Sequence, residues 1–489
     1  MQFPFDNSYV HLPESLFSRV RPTPVAAPRL IAFNRPLARS LGLADAGDER
    51  ELAEIFSGNR LPPGAEPLAM AYSGHQFGQF VPLLGDGRAI LVGEVRDEAG
   101  QRYDIQLKGA GLTPYSRRGD GRAALGPVMR EYLVSEAMAA LGIPTTRALA
   151  AVVTGERVVR ERFLPGAVMT RVARSHIRVG TFQYVATSGD VDSLKRLADY
   201  AIDRLYPELA GAEAPYQRFL EAVIARQARL VARWMHVGFV HGVMNTDNTS
   251  ISGETIDFGP CAFLDAYHPG MVFSSIDEMG RYAFGNQPRI MLWNLTRLAE
   301  ALLPLLAETQ EAAIAMAEAI LGSFKPVFET AFEAGVRSKL GLSSAEPGDV
   351  ALATELYQLM AADKVDFTLA FRRLADAAES EWAGATVRDL FVDLAGFDAW
   401  GQRWRERLSR EPGGAEAASK LMRSVNPAVI PRNHLIEAVI KAAIEAGDFE
   451  PFHALAAALA EPYADRPEFA WAQESPKPDE VVTATFCGT

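Results

Sequence analysis

The chain has 489 residues, 48% of them apolar and 22% charged, so it can bury a large core and is not disordered throughout. Its formal net charge of −12 argues against nonspecific binding to nucleic acid or to an anionic membrane surface, although a local cationic cleft could still hold phosphates. At this length we expect roughly two to four packed sub-domains.

The two cysteines, Cys261 and Cys487, are too few for a disulfide framework, which favours a reducing compartment. The first residues lack a basic region followed by an apolar run. No stretch approaches the roughly 20 apolar residues that a membrane-spanning helix needs. We therefore expect a cytoplasmic protein with no membrane partner.

The N-terminal part of the chain predicts an extension followed by a small sheet. Prolines interrupt short helical patterns throughout residues 1–75, which predicts a packed extension. Apolar runs at 89–92 and 103–107, with turn residues at 97–100 between them, predict an antiparallel pair of strands. A helix is predicted over 126–141, because Gly and Pro arrive together directly after it.

The pattern then returns to strands and afterwards becomes helical. Two strand-like pieces are predicted at 148–153 and 157–163, and apolar residues at helical spacing predict a core helix over 216–237. The turn dipeptide Ser252-Gly253 favours a tight hairpin between two short strands. Residues 290–462 are predicted to be mostly helical.

A polar loop after the core helix carries the chemistry. The sequence His-Gly-Val-Met-Asn-Thr-Asp-Asn ends at Asn248, and Asp257-Phe258-Gly259 begins nine residues later. This spacing is similar to that of the catalytic loop and metal-binding Asp-Phe-Gly of protein kinases. It predicts that Asn248 and Asp257 bind Mg²⁺ through oxygen atoms. The alternative is a chance tripeptide beside a capping turn.

One position departs from the kinase pattern. Val243 stands five residues before Asn248, where a kinase places its catalytic Asp. Valine cannot accept a proton or orient a hydroxyl group, but the neighbouring Asp247 can. We therefore predict Asp247 as the catalytic carboxylate, and ordinary phosphoryl transfer is in doubt.

Cationic residues that could hold phosphates come earlier in the chain. Gly85 and Gly87 let the backbone approach an anion, and Arg88 and Lys108 can neutralise its charge. We predict that Lys108 pairs with Glu131 of the following helix, as a kinase lysine does. The alternatives are an ordinary hairpin turn and a solvated lysine.

A second group of cations follows the strand pieces. Arg171 and Arg178 stand close to Arg174 and His176, a density of positive charge that predicts a binding role in an acidic chain. The alternative is a solvated loop.

Long sequence blocks are spread over most of the chain: Tyr-Ser-Gly-His-Gln-Phe-Gly-Gln-Phe at 72–80, Gly-Asp-Gly-Arg-Ala at 85–89, Gln-Leu-Lys-Gly-Ala-Gly at 106–111, Thr-Pro-Tyr-Ser-Arg at 113–117, the loop at 241–248, Asn-Pro at 426–427 and Pro-Arg-Asn-His at 431–434. With these blocks the chain resembles the selenoprotein O family of protein adenylyltransferases over most of its length and is identified as a member of it.

The resemblance implies a kinase-like enzyme that binds ATP in a flipped orientation and transfers AMP to Ser, Thr or Tyr hydroxyls of proteins, with release of pyrophosphate. UMP transfer with Mn²⁺ is also consistent with it. It implies that Asn248 and Asp257 bind Mg²⁺ or Mn²⁺ and that Asp247 accepts the proton. It implies that the following residues hold the nucleotide: Gly85, Gly87, Arg88, Lys108, Asp120, Gly121, Arg171, Arg178 and Asp257.

The fold expected from this sequence is α+β and protein-kinase-like, with two lobes. We expect an N-terminal extension at 1–75, an N-lobe at 76–172, a C-lobe with the catalytic loop and metal site at 173–330, and a helical C-terminal region at 331–489. Nucleic acid is not an expected partner.

Three alternatives stay open. A conventional kinase or other phosphotransferase would use the same metal ligands, but Val243 counts against it. An inert pseudokinase that only binds nucleotide would be expected to lose metal ligands, and none is lost here. Cys487 could pair with Cys261 as a redox switch, although a buried structural Cys261 is the stronger expectation.

Overall fold

The computed structural model describes residues 1–43, 47–380 and 385–485, which form a mixed α+β structure and confirm that part of the expected fold class. The strands are β1 Phe17–Arg19, β2 Arg29–Phe33, β3 Leu68–Met70, β4 Gly74–Gln76, β5 Gln79–Val81, β6 Ala89–Arg96, β7 Arg102–Lys108, β8 Ala123–Ala124, β9 Arg147–Val159, β10 Phe163–Ala173, β11 Phe239–Val240 and β12 Ala262–Phe263.

The helices are α1 Arg35–Ser40, α2 Glu49–Phe56, α3 Leu125–Ala140, α4 Val179–Ser188, α5 Val191–Leu205, α6 Pro215–Val237, α7 Gln287–Leu306, α8 Gln310–Leu321, α9 Phe324–Lys339, α10 Asp349–Asp363, α11 Phe367–Glu379, α12 Leu394–Leu408, α13 Gly414–Val425, α14 Asn433–Ala446 and α15 Glu450–Leu459. Of the helices in these described ranges, none is long and apolar enough to cross a membrane.

An antiparallel sheet of eight strands forms the first half of the molecule. Its order is β1-β3-β6-β7-β10-β9-β2, and β8 pairs with β10 beside this path. The N-terminal extension therefore supplies three strands, β1, β2 and β3, to the same sheet as β6 and β7. The predicted pair of strands at 89–92 and 103–107 is confirmed by the β6–β7 ladder.

Helix α3 packs against β9 and β10 of this sheet. Most of its side chains are buried, including Val128, Met129 and Leu133, and it ends before Gly142, whose φ of 74° few other residues adopt. The helix predicted at 126–141 is therefore confirmed. Its face towards the site carries Glu131.

Two predicted strand features are wrong. The pieces at 148–153 and 157–163 belong mainly to one strand, β9, because Gly155 adopts a φ of 73° and the β9–β10 register shifts nearby, so the strand continues through a bulge. The hairpin at Ser252-Gly253 does not form. The turn is present, but its flanks pair elsewhere: Ser250 bridges to Arg178 and Thr255 to Thr145.

The second half is helical, as predicted for 290–462, and is organised by α6. Phe219, Val223 and Leu230 of α6 are buried, and the helix packs against α7 and α9. It ends at Gly238, with a φ of 72°. A separate apolar core lies among α9 to α13, and α14 and α15 return to pack on α3. The polar loop that follows α6 is thereby held between the sheet and the helices.

Candidate active site

A cavity of about 1290 Å³ lies between the sheet and the loop after α6. Eight basic and four acidic side chains line it, so it is cationic although the whole chain is acidic. Every site residue predicted from the sequence lines this one cavity: Gly85, Gly87, Arg88, Lys108, Asp120, Gly121, Arg171, Arg178, Asp247, Asn248 and Asp257. The structure thus brings together residues that are up to 172 positions apart in the chain.

Asp257 is the centre of a buried ion cluster. Its Oδ1 accepts from Arg171 Nη2 at 2.7 Å and from Lys108 Nζ at 3.2 Å, and its Oδ2 accepts from Arg178 Nη1 at 2.9 Å. Burial raises the pKa of Asp257, but the charges of Arg171, Lys108 and Arg178 together hold it well below its usual range. The carboxylate is therefore ionised at every physiological pH.

Glu131 of α3 completes this cluster from the sheet side. Lys108 at the end of β7 donates to Glu131 Oε2 at 2.5 Å, as predicted, and Arg171 of β10 donates to Glu131 Oε1 from Nε at 3.0 Å. Adjacent antiparallel strands place these two cations side by side, because Thr170 of β10 is the ladder partner of Leu107. Three cations thus share the carboxylates of Glu131 and Asp257, in a cavity whose lining as a whole has more basic than acidic side chains.

The backbone at Asp257 is unusual. Its φ is 64°, in the left-handed region that residues other than Gly, Asn and Asp rarely occupy. Such conformations persist where surrounding contacts determine them, and they concentrate at functional sites. Here the three charged hydrogen bonds to the Asp257 side chain supply those contacts.

Arg178 links Asp257 to the polar loop. It stands immediately before α4, and its Nη1 also donates to the backbone oxygen of Asp247 at 2.6 Å. Its guanidinium lies 4.6 Å from the ring centre of Tyr72, and Asp86 Oδ1 is 3.8 Å from its Nη2. These contacts fix the position of the loop relative to the cations.

Asp247 differs from Asp257 in its surroundings. Burial raises the pKa of Asp247 to about 6, against the opposing charge of Arg178. Its Oδ2 is 3.5 Å from Gln76 Nε2, and its buried Oδ1 has no hydrogen-bond partner among the residues that the structure describes. A buried carboxylate oxygen without a partner is available to accept a proton or a hydroxyl hydrogen bond from a substrate.

The β4–β5 hairpin holds the catalytic loop in place. His75 N–H donates to Thr246 Oγ1 at 2.7 Å, and Phe77 N–H donates to Asn245 Oδ1 at 3.0 Å. Gly74 lies so close to Asp247 that a Cβ there would come within 2.3 Å of its Oδ1. The hairpin therefore limits where the Asp247 carboxylate can lie.

Asn248 and Asp257 could hold a divalent metal ion. Asn248 Nδ2 donates to Val243 O at 3.0 Å, which leaves its Oδ1 as an acceptor. An amide oxygen together with an ionised carboxylate suits a hard cation such as Mg²⁺ or Mn²⁺. Both side chains line the cavity and carry oxygen donors of the kind that such a cation takes, and the metal site predicted from the sequence stays a prediction.

Several residues noted in the sequence lie outside the cavity. Arg174 bonds to Gln101 Oε1, and His176 is buried against Asp104, so only Arg171 and Arg178 of that cluster reach the site. Cys261 is buried, and its thiol donates to Phe258 O at 3.2 Å. Cys487 falls outside the described residues.

Some side chains at the cavity were missed by residue-level reasoning. Gln76, Asp86 and Tyr72 contact Asp247 or Arg178, and Arg117 and Arg118 line the cavity mouth. Gln76, Tyr72 and Arg117 fall in blocks quoted for the family resemblance, and that was the only sequence signal for them. Arg118 stands next to such a block.

Known proteins resemble this chain over nearly its whole length. A protein-family model described as "Protein adenylyltransferase SelO" matches residues 1–460. A protein named protein nucleotidyltransferase YdiU from Bradyrhizobium sp. strain BTAi1 is 64% identical over 490 residues, covering 100% of both chains. Proteins of the same name are 62% identical in Bradyrhizobium diazoefficiens, with the same coverage, and in Methylorubrum populi, covering 100% of this chain and 99% of the relative. The chain belongs to the SelO family of protein adenylyltransferases.

Proposed function

We propose that this protein transfers AMP from ATP to Ser, Thr or Tyr hydroxyls of other proteins and releases pyrophosphate. The observation that carries the proposal is the pairing, in one cavity, of a three-cation cluster around Asp257 with a separate buried carboxylate, Asp247, while Val243 takes the kinase base position. A cationic site for a polyphosphate and a proton acceptor for a hydroxyl are the two requirements of nucleotidyl transfer.

The cations are the proposed triphosphate site. Lys108, Arg171 and Arg178 are held rigidly by Glu131 and Asp257, so their ordering cost is met before ATP binds. Arg88 lines the same cavity and is proposed as a further phosphate ligand. Charge-assisted hydrogen bonds from such groups are stronger than neutral ones.

Two glycines on this side of the cavity lie where the protein's own packing leaves no room for a side chain. A Cβ at Gly85 would come within 2.3 Å of the Tyr115 ring, and one at Gly121 within 2.2 Å of Gly111, with a φ of 67°. Neither position accepts another residue without rearrangement. We propose that Gly85, Gly87, Asp120 and Gly121 bind the nucleotide from this side.

The metal site is proposed at Asn248 and Asp257, with Mg²⁺ or Mn²⁺ as the ion. When bound, the ion neutralises phosphate charge as it develops during transfer. The chain itself keeps Asp257 ionised and supplies the Asn248 carbonyl oxygen for this purpose.

Asp247 is proposed as the proton acceptor. As the substrate oxygen forms its bond to the α-phosphorus, the bond from that phosphorus to the bridging oxygen of the β-phosphate breaks. The hydroxyl proton passes to Asp247, and pyrophosphate leaves. A pKa of about 6 keeps Asp247 mostly ionised at neutral pH and close in basicity to the working pH, as a general base requires.

The kinase-like architecture is part of this proposal. The Lys108–Glu131 pair, the Asp257 position and the order of sheet, α3 and helical half support a two-lobed arrangement. The boundaries at 75, 172 and 330 stay predictions, and β1 to β3 join the first segment closely to the second.

Incubation with Mg²⁺ and ATP labelled at the α- or γ-phosphate tests the function. Intact-mass analysis of the enzyme and added proteins should show a gain of one AMP, with label from the α position only. Transfer of γ-label would instead establish a kinase. ATP binding without any transfer would establish a pseudokinase.

A further inference from the structure

A second cavity, of about 540 Å³, opens beside the candidate active site. The two cavities share three lining residues, Arg160, Pro260 and Ile276, so they form one continuous surface. The second cavity has no role in holding nucleotide or metal in the function proposed above. Its position makes it a route along which a bound chain could reach Asp247.

Val159 and Ile276 are exposed apolar side chains in the lining of the active-site cavity, and Ile276 also lines the second cavity. At the tip of the β9–β10 hairpin, Val159 and Phe163 are ladder partners and are 63% and 64% exposed. From the segment after the Asp257 turn, Ile276 is 66% exposed and Met279 is 92% exposed. Large apolar groups left in water at a cavity mouth are typical of a binding surface.

The interior of the second cavity is suited to an apolar group. Leu164, Ile440 and Ile444 line it, and its buried cation, Arg130, is already paired with Glu437. Among the charged side chains that the structure describes around this cavity, the buried Arg130 is paired, whereas Glu161 and Arg162 are exposed at its surface. An aliphatic or aromatic side chain inserted there would be removed from water, which favours its binding.

The mouth of the active-site cavity adds positive charge. Arg117 and Arg118 are exposed, and within the described parts of the chain neither has a salt bridge or a side-chain hydrogen bond. Their loop is fixed to the glycine turn, because Thr113 Oγ1 donates to Asp86 O at 2.7 Å and Ser116 Oγ donates to Gly87 O. Two fixed, unpaired cations favour carboxylates on whatever binds across the mouth.

The backbone next to Ile276 is not available for strand pairing. Thr485 N–H donates to Phe273 O at 2.7 Å, and Ser275 N–H donates to Thr485 O at 3.3 Å. The chain's own C-terminal segment thus occupies this edge. Recognition at the junction must therefore depend on side chains.

We infer that the second cavity and the arginine mouth form a docking surface for the protein substrate. The occupant is an extended segment that places an apolar side chain in the second cavity and acidic residues against Arg117 and Arg118. This rests on the proposed function and specifies its substrate class: hydroxyl residues flanked by apolar residues on one side and acidic residues on the other.

Binding of synthetic peptides tests the inference without requiring transfer. The probe is a fluorescein-labelled peptide with one tyrosine between a leucine-rich and a glutamate-rich half, measured by anisotropy with Mg²⁺ and a non-hydrolysable ATP analogue. Replacing its glutamates by lysines, or its leucines by serines, should each weaken binding about tenfold. Equal affinity for all three peptides, or tighter binding of a single-stranded RNA, would overturn the inference.

Matched variants locate the surface. Ile276→Ser should weaken binding of the first peptide about fivefold to tenfold. Ile314→Ser, at an exposed isoleucine on α8, should leave it unchanged. Arg117→Glu with Arg118→Glu should reverse the preference between the glutamate and lysine peptides, whereas Arg229→Glu, at an exposed arginine of α6, should not.

Calorimetry with ATP separates this inference from the proposed function. If the arginine variants lose ATP affinity as strongly as peptide affinity, these cations bind nucleotide and the docking inference fails. If the peptides bind as expected but no AMP is transferred to any protein, the docking surface stands and the proposed function fails.

Discussion

Two buried ion clusters in this molecule use similar residues in opposite ways. The active-site cluster contains Lys108, Arg171 and Arg178 with the carboxylates of Glu131 and Asp257. The second, the Arg432 cluster, contains one arginine, 1% exposed, between the carboxylates of Asp265 and Asp366. The first has an excess of positive charge and the second an excess of negative charge.

The two clusters also differ in the further hydrogen bonds that their side chains make. Arg432 donates to the backbone oxygen of Gln473, and Asp366 accepts from Ser475 Oγ and from Leu369 N–H at the start of α11. Those bonds join the C-terminal segment to the helical half. The active-site cluster instead faces a cavity, and the side chain of Asp257 is 21% exposed. A buried ion cluster is therefore evidence for function only where its unbalanced charge faces a space that a ligand can enter.

The contrast between the two ion clusters would not hold if Asp257 had only a structural role. Asp257→Asn should reduce AMP transfer by about 10³-fold or more, because the proposed metal ligand and the ionised centre of the cluster are both lost. Transfer is measured with α-labelled ATP and Mg²⁺, and folding by thermal denaturation. A folded variant with full activity would contradict the assignment.

Replacement of Arg432 should have the opposite result. Arg432→Met leaves two buried carboxylates without their cation and should lower the free energy of unfolding by about 3–5 kcal/mol. Transfer by the folded protein at low temperature should be retained. Urea denaturation measures the loss, with Arg229→Met, at an exposed position of α6, as the control. Unchanged stability would mean that the cluster does not hold the C-terminal segment.

Replacing Asp247 tests whether proton transfer and ATP binding depend on different residues of the active site. Asp247→Asn keeps the size and the contact with Gln76 but removes the proposed proton acceptor, so the transfer rate should fall about 10²-fold. ATP affinity, measured by calorimetry, should be largely retained, because Asp247 does not pair with the phosphate-binding cations through its side chain. Equal loss of rate and affinity would indicate a structural role.

Glu254 gives a pH-dependent test in the loop before Asp257. Burial raises the pKa of Glu254 to about 7, and Ser252 Oγ and Arg174 N–H both donate to its Oε2. The folded state then holds a proton that the unfolded state releases from about pH 4.5 upwards, so stability falls as the pH rises from about 4.5 to about 7.

Glu254→Gln removes that titration. Its stability relative to the parent protein should increase across this window and level off above it, after a rise of about 3 kcal/mol. Urea denaturation at several pH values measures the difference. A constant difference at all pH values would show that the native Glu254 is ionised.

Local patterns predicted much of the fold and the site. The helices α3 and α6 have clear periodicity and terminal glycines, and the Lys108–Glu131 pair followed from a strand end and a helix face close in sequence. The bulge at Gly155 was not predictable, because a glycine within a strand pattern equally indicates a break.

Long-range contacts were beyond the reach of such patterns. Gln76 and Asp247 are 171 positions apart, and no periodicity relates the β4–β5 hairpin to the catalytic loop. The failed hairpin at Ser252-Gly253 has the same cause, since Thr255 pairs with Thr145 rather than with its own neighbours. The residue types at 252–253 predicted the turn correctly, whereas the pairing of the residues on either side of it depends on contacts with distant parts of the chain.

Gly74 offers the finest test of how the active-site region is positioned. A methyl group at this position would lie 2.3 Å from Asp247 Oδ1 and 2.7 Å from Leu84 Cδ1, so Gly74→Ala must displace the carboxylate or the hairpin. The transfer rate should fall about tenfold, because small misplacement of a catalytic group is costly, while the cation cluster around Asp257 keeps its ATP affinity. The control is Gly322→Ala after α8, where the nearest atom would be 3.2 Å away and the rate should not change.

Combining Gly74→Ala with Asp247→Asn tests whether the hairpin acts by positioning the Asp247 carboxylate. If it does, the double variant should transfer AMP no more slowly than Asp247→Asn alone. If the two losses of rate multiply instead, Gly74 acts through other contacts.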